Sequence, residues 1–191
     1  MEGDGSEEPS LLSPAAGGNG ESVHMTASAT DLIALAVFAA ALLGAAVTDV
    51  RQYLIPNRYP AAIALAYVLF ATGHPLLQAL WGLAAGFLML VIGAVLLATR
   101  IMGGGDVKLL AATTLWAGPW LAPSFLTVVA FAGAAIALTW LTPLRRLMPA
   151  APADLAAPEA PTGRARFAQP VPYGIAISTG GLYLAATHAF H

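Results

Sequence analysis

The sequence predicts an all-α, polytopic membrane protein with about six transmembrane helices and both termini on the non-cytoplasmic side. Three observations carry that expectation. The 191 residues are 58% hydrophobic and only 9% charged, whereas an ordinary soluble domain is about a quarter charged. The charges gather in a few short segments, separated by apolar stretches long enough to cross a bilayer. Once those stretches are counted as spans, every basic residue falls on the same side. The composition also excludes several classes. Without cysteine there is no disulfide framework, thiolate metal site or cysteine nucleophile. A net charge of −2 with eight basic residues gives a nucleic-acid role no electrostatic support.

The elements follow in chain order. Residues 1–30 are polar, rich in Gly, Ser and Glu, and carry no basic residue. They lack the positive start of a signal peptide and read as a disordered tail, with Met25 as a second candidate start. The membrane domain then occupies 31–191. Leu32–Thr48 is a charge-free run of 17 residues, with Thr30 or Asp31 placed to cap its helix. Tyr59–Thr99 is charge-free for 41 residues, too long for one span, and Gly73-His74-Pro75 divides it. Leu109–Leu144 runs 36 residues, with Gly118-Pro119 and Pro123 as breakers, because proline lacks the amide and restricts its predecessor. The predicted spans are 32–50, 58–73, 76–99, 106–118, 121–142 and 172–190. Residues 143–170, rich in Pro and Ala, read as a flexible cytoplasmic loop.

Arg51 and Arg58 then lie between spans one and two, Arg100 and Lys108 between three and four, and Arg145, Arg146, Arg164 and Arg166 between five and six. The positive-inside rule makes that side cytoplasmic. Within the third span, Gly82, Gly86 and Gly93 fall within about 40° of one another, a small-residue face on which another helix packs closely.

Two of the ten carboxylates do not belong to solvated segments. Asp49 ends the first span and Asp106 opens the fourth, both at the cytoplasmic edge. Acids there are costly unless they face a cavity or a partner, although Asp106 at a helix N-terminus also has a simple electrostatic reason to be there. Asp106 follows Gly103, Gly104 and Gly105. Three glycines are poor helix formers but leave room for a substrate backbone. Asp49 precedes Ile55-Pro56-Asn57, a turn-like restart ahead of the second span. Two carboxylates at one depth on different helices suggest a dyad in which one keeps a proton and the other acts as a base. That is aspartic-peptidase chemistry and needs no covalent intermediate.

The pattern from Asp49 to Ile55-Pro56-Asn57, followed by Gly103-Gly104-Gly105-Asp106-Val107-Lys108, resembles the type IV prepilin peptidases, membrane aspartic peptidases of the GxGD class. Val171-Pro172-Tyr173-Gly174 is similar to the stretch opening that family's last span, with Ile175 where the family often has proline. The resemblance covers roughly residues 32–190 and implies catalytic roles for Asp49 and Asp106. It implies site-shaping or substrate-binding roles for Gly103, Gly104, Gly105, Lys108, Pro56 and Asn57. The implied partners are prepilin or pseudopilin-like substrates with a short cytoplasmic leader and a hydrophobic N-terminal helix. They would be cleaved at the cytoplasmic face of a bacterial or archaeal plasma membrane, with no cofactor. The short, cysteine-free chain looks like the peptidase-only form associated with tight-adherence (Flp-type) pili, which argues against methyltransferase activity.

Other residues have simpler readings. Lys108 is an interfacial anchor or a substrate-orienting group, Asn57 a cap or turn residue or a hydrogen-bonding member of the site, and Tyr173 an aromatic anchor. His24, His74, His188 and His191 have no metal-ligand spacing, and no metal is expected. Trp81, Trp116, Trp120 and Trp140 read as interfacial or packing residues. Two competing functions remain: a small proton- or ion-coupled transporter and a non-catalytic assembly factor of a pilus or secretion system. The sequence sets no oligomeric state.

Overall fold

The structure is a computed structural model that describes residues 29–99, 102–141 and 173–190. The tail, the 143–170 loop, Arg100, Val171-Pro172 and the Trp140 side chain lie outside the described residues. Every described element is helical: α1 (Ala29–Gln52), α2 (Arg58–Ala71), α3 (Leu76–Ala98), α4 (Gly104–Leu141) and α5 (Tyr173–Phe190). Among the described residues, α1, α3 and α4 are long and apolar enough to cross a membrane. At 14 residues, α2 is about 21 Å long, short of the bilayer's apolar thickness.

The helix ends lie close to their predicted positions, with three corrections. α1 is already helical at Ala29, so Thr30 and Asp31 sit in its first turn rather than capping it. Asp31 there still faces the positive end of the helix dipole. The predicted fourth and fifth spans are the two halves of α4, joined without a loop at Gly118 (φ 55°, ψ −171°). That positive φ is open to glycine and strained for other residues, and Pro119 restarts the helix where a missing amide costs least. Pro123, read as a second breaker, lies inside the second half. It falls close to the restart, where few turns precede it for the ring to clash with.

Helix α4 is the hub, packing against α2, α3 and α5, while α1 packs mainly against α2 and α5. The reason is a cluster around Trp116. Its ring stacks on Phe38 of α1 at 4.3 Å, and Phe70 and Tyr67 of α2 lie at 5.0 and 5.9 Å. Its indole N–H donates to the Ile63 carbonyl at 3.2 Å, so the polar tip is satisfied inside the core. Ser178 of α5 donates to the Leu42 carbonyl at 2.9 Å, which locks α5 to α1. Of the four tryptophans, Trp116 is thus a packing residue, while Trp120 is 85% exposed.

Helix α3 touches the rest of the bundle through its glycines. Gly82, Gly86 and Gly93 are buried, and a Cβ on them would run into Tyr67 and Leu115, into Leu115, and into Val107. The predicted small-residue face therefore packs on α4. The contacts pair Gly82 with Leu115 and Gly93 with Val107, so the two helices run antiparallel. The outer face of α3 leaves Leu80, Leu88, Val91 and Val95 exposed, as suits a helix surrounded by lipid.

Candidate functional site

Three helix termini and one short connection meet at the end of the bundle that carries Arg51, Arg58 and Lys108. Residues 53–57 between α1 and α2 form the connection. Tyr53 adopts φ 51°, an αL conformation that ends α1 in the place where glycine is usual, and its amide donates to the Asp49 carbonyl at 2.9 Å. The chain then turns through Ile55 and Pro56, and the Pro56 carbonyl accepts from the Tyr59 amide at 3.2 Å. The turn-like restart expected at Ile55-Pro56-Asn57 is present.

Asp49, on the last turns of α1, is 4% exposed. Its Oδ2 accepts a 2.7 Å hydrogen bond from the Gly174 amide at the start of α5, and the Ile175 amide also reaches the carboxylate. Asp49 therefore caps α5 from another helix, filling amides that a helix N-terminus leaves free. Gly174 has to be glycine for this. A Cβ there would stand 2.7 Å from Asp49 Oδ2 and 2.8 Å from Ile55 Cδ1.

Asp106 lies in the first turn of α4, half-buried. Its carboxylate turns back onto the Gly103 amide, as the third residue of a helix does in a capping box. The two aspartates are within electrostatic range of each other. Ile55, 7% exposed, stands between their supports: a Cβ on Gly105 would lie 3.0 Å from Ile55 Cβ, and one on Gly174 would lie 2.8 Å from its Cδ1. Burial, then the Asp49 charge, push the nearby Tyr53 phenol up from its usual range.

The three glycines have different neighbours. Gly105 is pressed against Ile55 Cβ and its main chain, so close approach of the protein's own chain is one reason for a glycine there. Gly103 sits beside Asp106 Oδ2 at 3.1 Å, and Gly104 has only ordinary contact with Leu97 at 3.9 Å. Asn57 occupies the N-cap position of α2 but makes no capping bond with its side chain. Its Oδ1 instead accepts a 2.9 Å hydrogen bond from Lys108 Nζ, tying α2 to α4. Lys108 does not face Asp106, as their spacing predicts.

Gly174 and Ile55 are the participants that residue-by-residue reasoning did not place in the site. The signal for Gly174 was in the sequence, as a glycine opening a helix directly after Pro172-Tyr173. At the opposite end, His74 Nδ1 meets the Phe70 carbonyl and His188 Nε2 the Trp116 carbonyl, both at 2.9 Å. Among the described residues, no three His, Cys, Asp or Glu side chains gather to hold a metal ion.

These features define a helical membrane protein whose two acids, from separate helices, share one junction of helix ends. A sequence model of the Type IV leader peptidase family matches residues 36–138, a stretch that includes Asp49, Ile55, Asp106 and Lys108, and the chain belongs to that family. It is 31% identical over 159 residues to a prepilin leader peptidase/N-methyltransferase of Burkholderia pseudomallei (strain 1026b), covering 78% of this chain and 45% of the relative. It is 37% identical over 134 residues to one of Bacillus subtilis (strain 168), covering 64% of this chain and 52% of the relative. The chain thus spans about half the length of the curated relatives it matches. No solved structure gives a significant match.

Proposed function

We propose that this chain is a membrane aspartic endopeptidase that removes the short cytoplasmic leader from prepilin-like substrates, with Asp49 and Asp106 as its catalytic pair. The observation that carries the proposal is the arrival of both acids, from α1 and α4, at the junction around Ile55. Family membership supports the substrate class. The proposed topology keeps six membrane segments (α1, α2, α3, the two halves of α4, and α5), both termini outside and the acids at the cytoplasmic face. The positions of Arg51, Arg58 and Lys108 at the same end support it.

In this reading Asp49 holds the negative charge, because its Oδ2 accepts main-chain N–H bonds that suit a carboxylate. Asp49 takes a proton from a water molecule, and the water oxygen bonds to the scissile carbonyl carbon. The protonated Asp106 carboxyl donates to the carbonyl oxygen. Collapse of the resulting diol breaks the C–N bond: the leaving amine takes the proton held by Asp49, and a diol hydroxyl returns its proton to Asp106. Lys108 and Asn57 orient the main chain of the substrate at the rim, and Pro56 fixes the turn that presents Asn57.

The test is co-expression with a tight-adherence-type prepilin and intact mass of the pilin. Wild type should remove the leader, while Asp49→Asn and Asp106→Asn should leave it in place and still insert into the membrane. Full cleavage by either variant refutes the dyad. The same spectrum shows whether the new N-terminus gains a methyl group, and the expected result is that it does not.

A further inference from the structure

We infer that the groove between α2 and α3, floored by α4, holds the apolar helix of the substrate just beyond the bond to be cut. The inference rests on the peptidase reading. The groove has a volume of about 460 Å³. α2, α3 and α4 each line it with four residues at spacing i, i+3, i+4 and i+7, starting from Asn57, Leu83 and Lys108. It is therefore bounded by three complete helix faces rather than by a chance gap.

Its shape follows from how α2 and α3 are tied. At the end of their hairpin, the Tyr67 hydroxyl donates to the Ala79 carbonyl at 2.9 Å and lies against Gly82. Beyond that tie the two helices pack on α4 but hardly on each other. The groove lies on the other side of that tie and runs from Leu115 to the Asn57–Lys108 pair, at the end of the bundle that carries Asp106.

The lining selects the occupant. Ala61, Ala64, Gly86, Ala111 and Ala112 leave the walls low, so a helix can bring its backbone close. Asn57 and Lys108 are the polar lining residues and sit together at the mouth, bonded at 2.9 Å. Lys108 is two residues from Asp106. A chain in the groove keeps its main-chain groups satisfied only as a helix, and its polar partners stand at the Asn57–Lys108 mouth, where Asn57 follows the Ile55-Pro56 turn that packs on Gly105. From Lys108 to Leu115 the floor runs about 10 Å, or two helical turns. That geometry holds a substrate with a membrane helix on one side of the scissile bond and an extended polar leader on the other.

The experiment places a photoreactive benzoylphenylalanine at Phe87, which lines the groove, or at Leu65, which faces away on α2, in the full Asp106→Asn chain. The chain is co-expressed with a prepilin carrying an apolar N-terminal helix. The Phe87 position should cross-link to that helix at about tenfold the yield of the Leu65 position. Equal yields, or labelling of lipid alone from both, overturn the proposal. In the active chain, Ala64→Phe should fill the groove and lower kcat/KM about tenfold, with Leu65→Phe within about twofold of wild type. Cleavage by Ala64→Phe at the rate of Leu65→Phe also overturns it. If wild type cleaves no prepilin while the Phe87 cross-link forms, the peptidase reading fails and the groove stands as a helix site.

Discussion

Replacing Gly174 by alanine tests whether the Asp49 carboxylate is held in place by the start of α5. The added Cβ would sit 2.7 Å from Asp49 Oδ2, 3.0 Å from its Cγ and 2.8 Å from Ile55 Cδ1. Ordinary contact begins near 3.4 Å, so the carboxylate must retreat by about 0.7 Å and the 2.7 Å bond from the Gly174 amide is lost. Loss of a hydrogen bond to a charged, buried group costs about 1.5–3 kcal/mol. Overpacking at the Ile55 contact adds about 1–3 kcal/mol. The expected loss of stability is about 2–5 kcal/mol, because part of each strain relaxes. A misplacement of this size at a reacting group lowers kcat by about 100-fold. The assay is prepilin cleavage by the purified protein in lipid nanodiscs, with Tm measured by intrinsic tryptophan fluorescence. Gly133→Ala is the control, since its Cβ would meet only Ala176 Cβ at 3.8 Å. The expected pattern is a large drop in kcat with KM nearly unchanged for Gly174→Ala and neither effect for Gly133→Ala. Cleavage by Gly174→Ala within about threefold of wild type would show that this amide does not position the carboxylate.

Trp116→Ala removes a fully packed ring and its bond to the Ile63 carbonyl and should cost about 3–5 kcal/mol, read as a large drop in Tm; a shift of a degree or two would mean that the cluster is not the centre of the core. Tyr53→Gly relieves the strain of φ 51° and should raise stability by about 1 kcal/mol, with no gain in Tm counting against strain there. The dyad makes cleavage bell-shaped in pH: as pH falls the base becomes protonated, and as pH rises the acid loses its proton, so the rate declines on both sides. A profile flat from acid to alkaline pH, with chemistry rate-limiting, would exclude a shared proton.

Helix boundaries were legible because they are written locally. The break at Gly118-Pro119 needs one residue that tolerates positive φ and one that lacks an amide, and both stand side by side in the chain. The glycine face of α3 was legible for the same reason, since helical period alone lines up Gly82, Gly86 and Gly93. Pro123 was misread because the rule for proline depends on how many helical turns precede it. That number was unknown until the restart at Pro119 was seen to be immediate.

The acids were legible through cost. A carboxylate at the edge of an apolar stretch needs a reason, and Asp49 and Asp106 were the two outside the solvated segments, Asp106 with a helix N-terminus as its simpler reason. What satisfies them was not legible. The bond from Gly174 to Asp49 spans 125 residues, and the one from Lys108 to Asn57 spans 51. No periodicity or turn rule reaches across such separations.

Glycine is where local reasoning is most ambiguous, because an absent side chain makes room equally for a ligand and for the protein itself. At Gly105 the space is taken by Ile55, and at Gly174 by Asp49 and Ile55, whereas a Cβ on Gly104 would make only ordinary contact with Leu97 at 3.9 Å. Of the three glycines before the acid, the close neighbour of Gly105 is another segment of the chain and that of Gly103 is Asp106 itself. In the proposed peptidase reading, Gly104 is the position of the three with the most room for a substrate backbone. Enlarging Gly105 strains the α1–α2 connection and acts first on stability. Enlarging Gly104 by one methyl meets only Leu97 in ordinary contact and, in the proposed reading, acts first on KM.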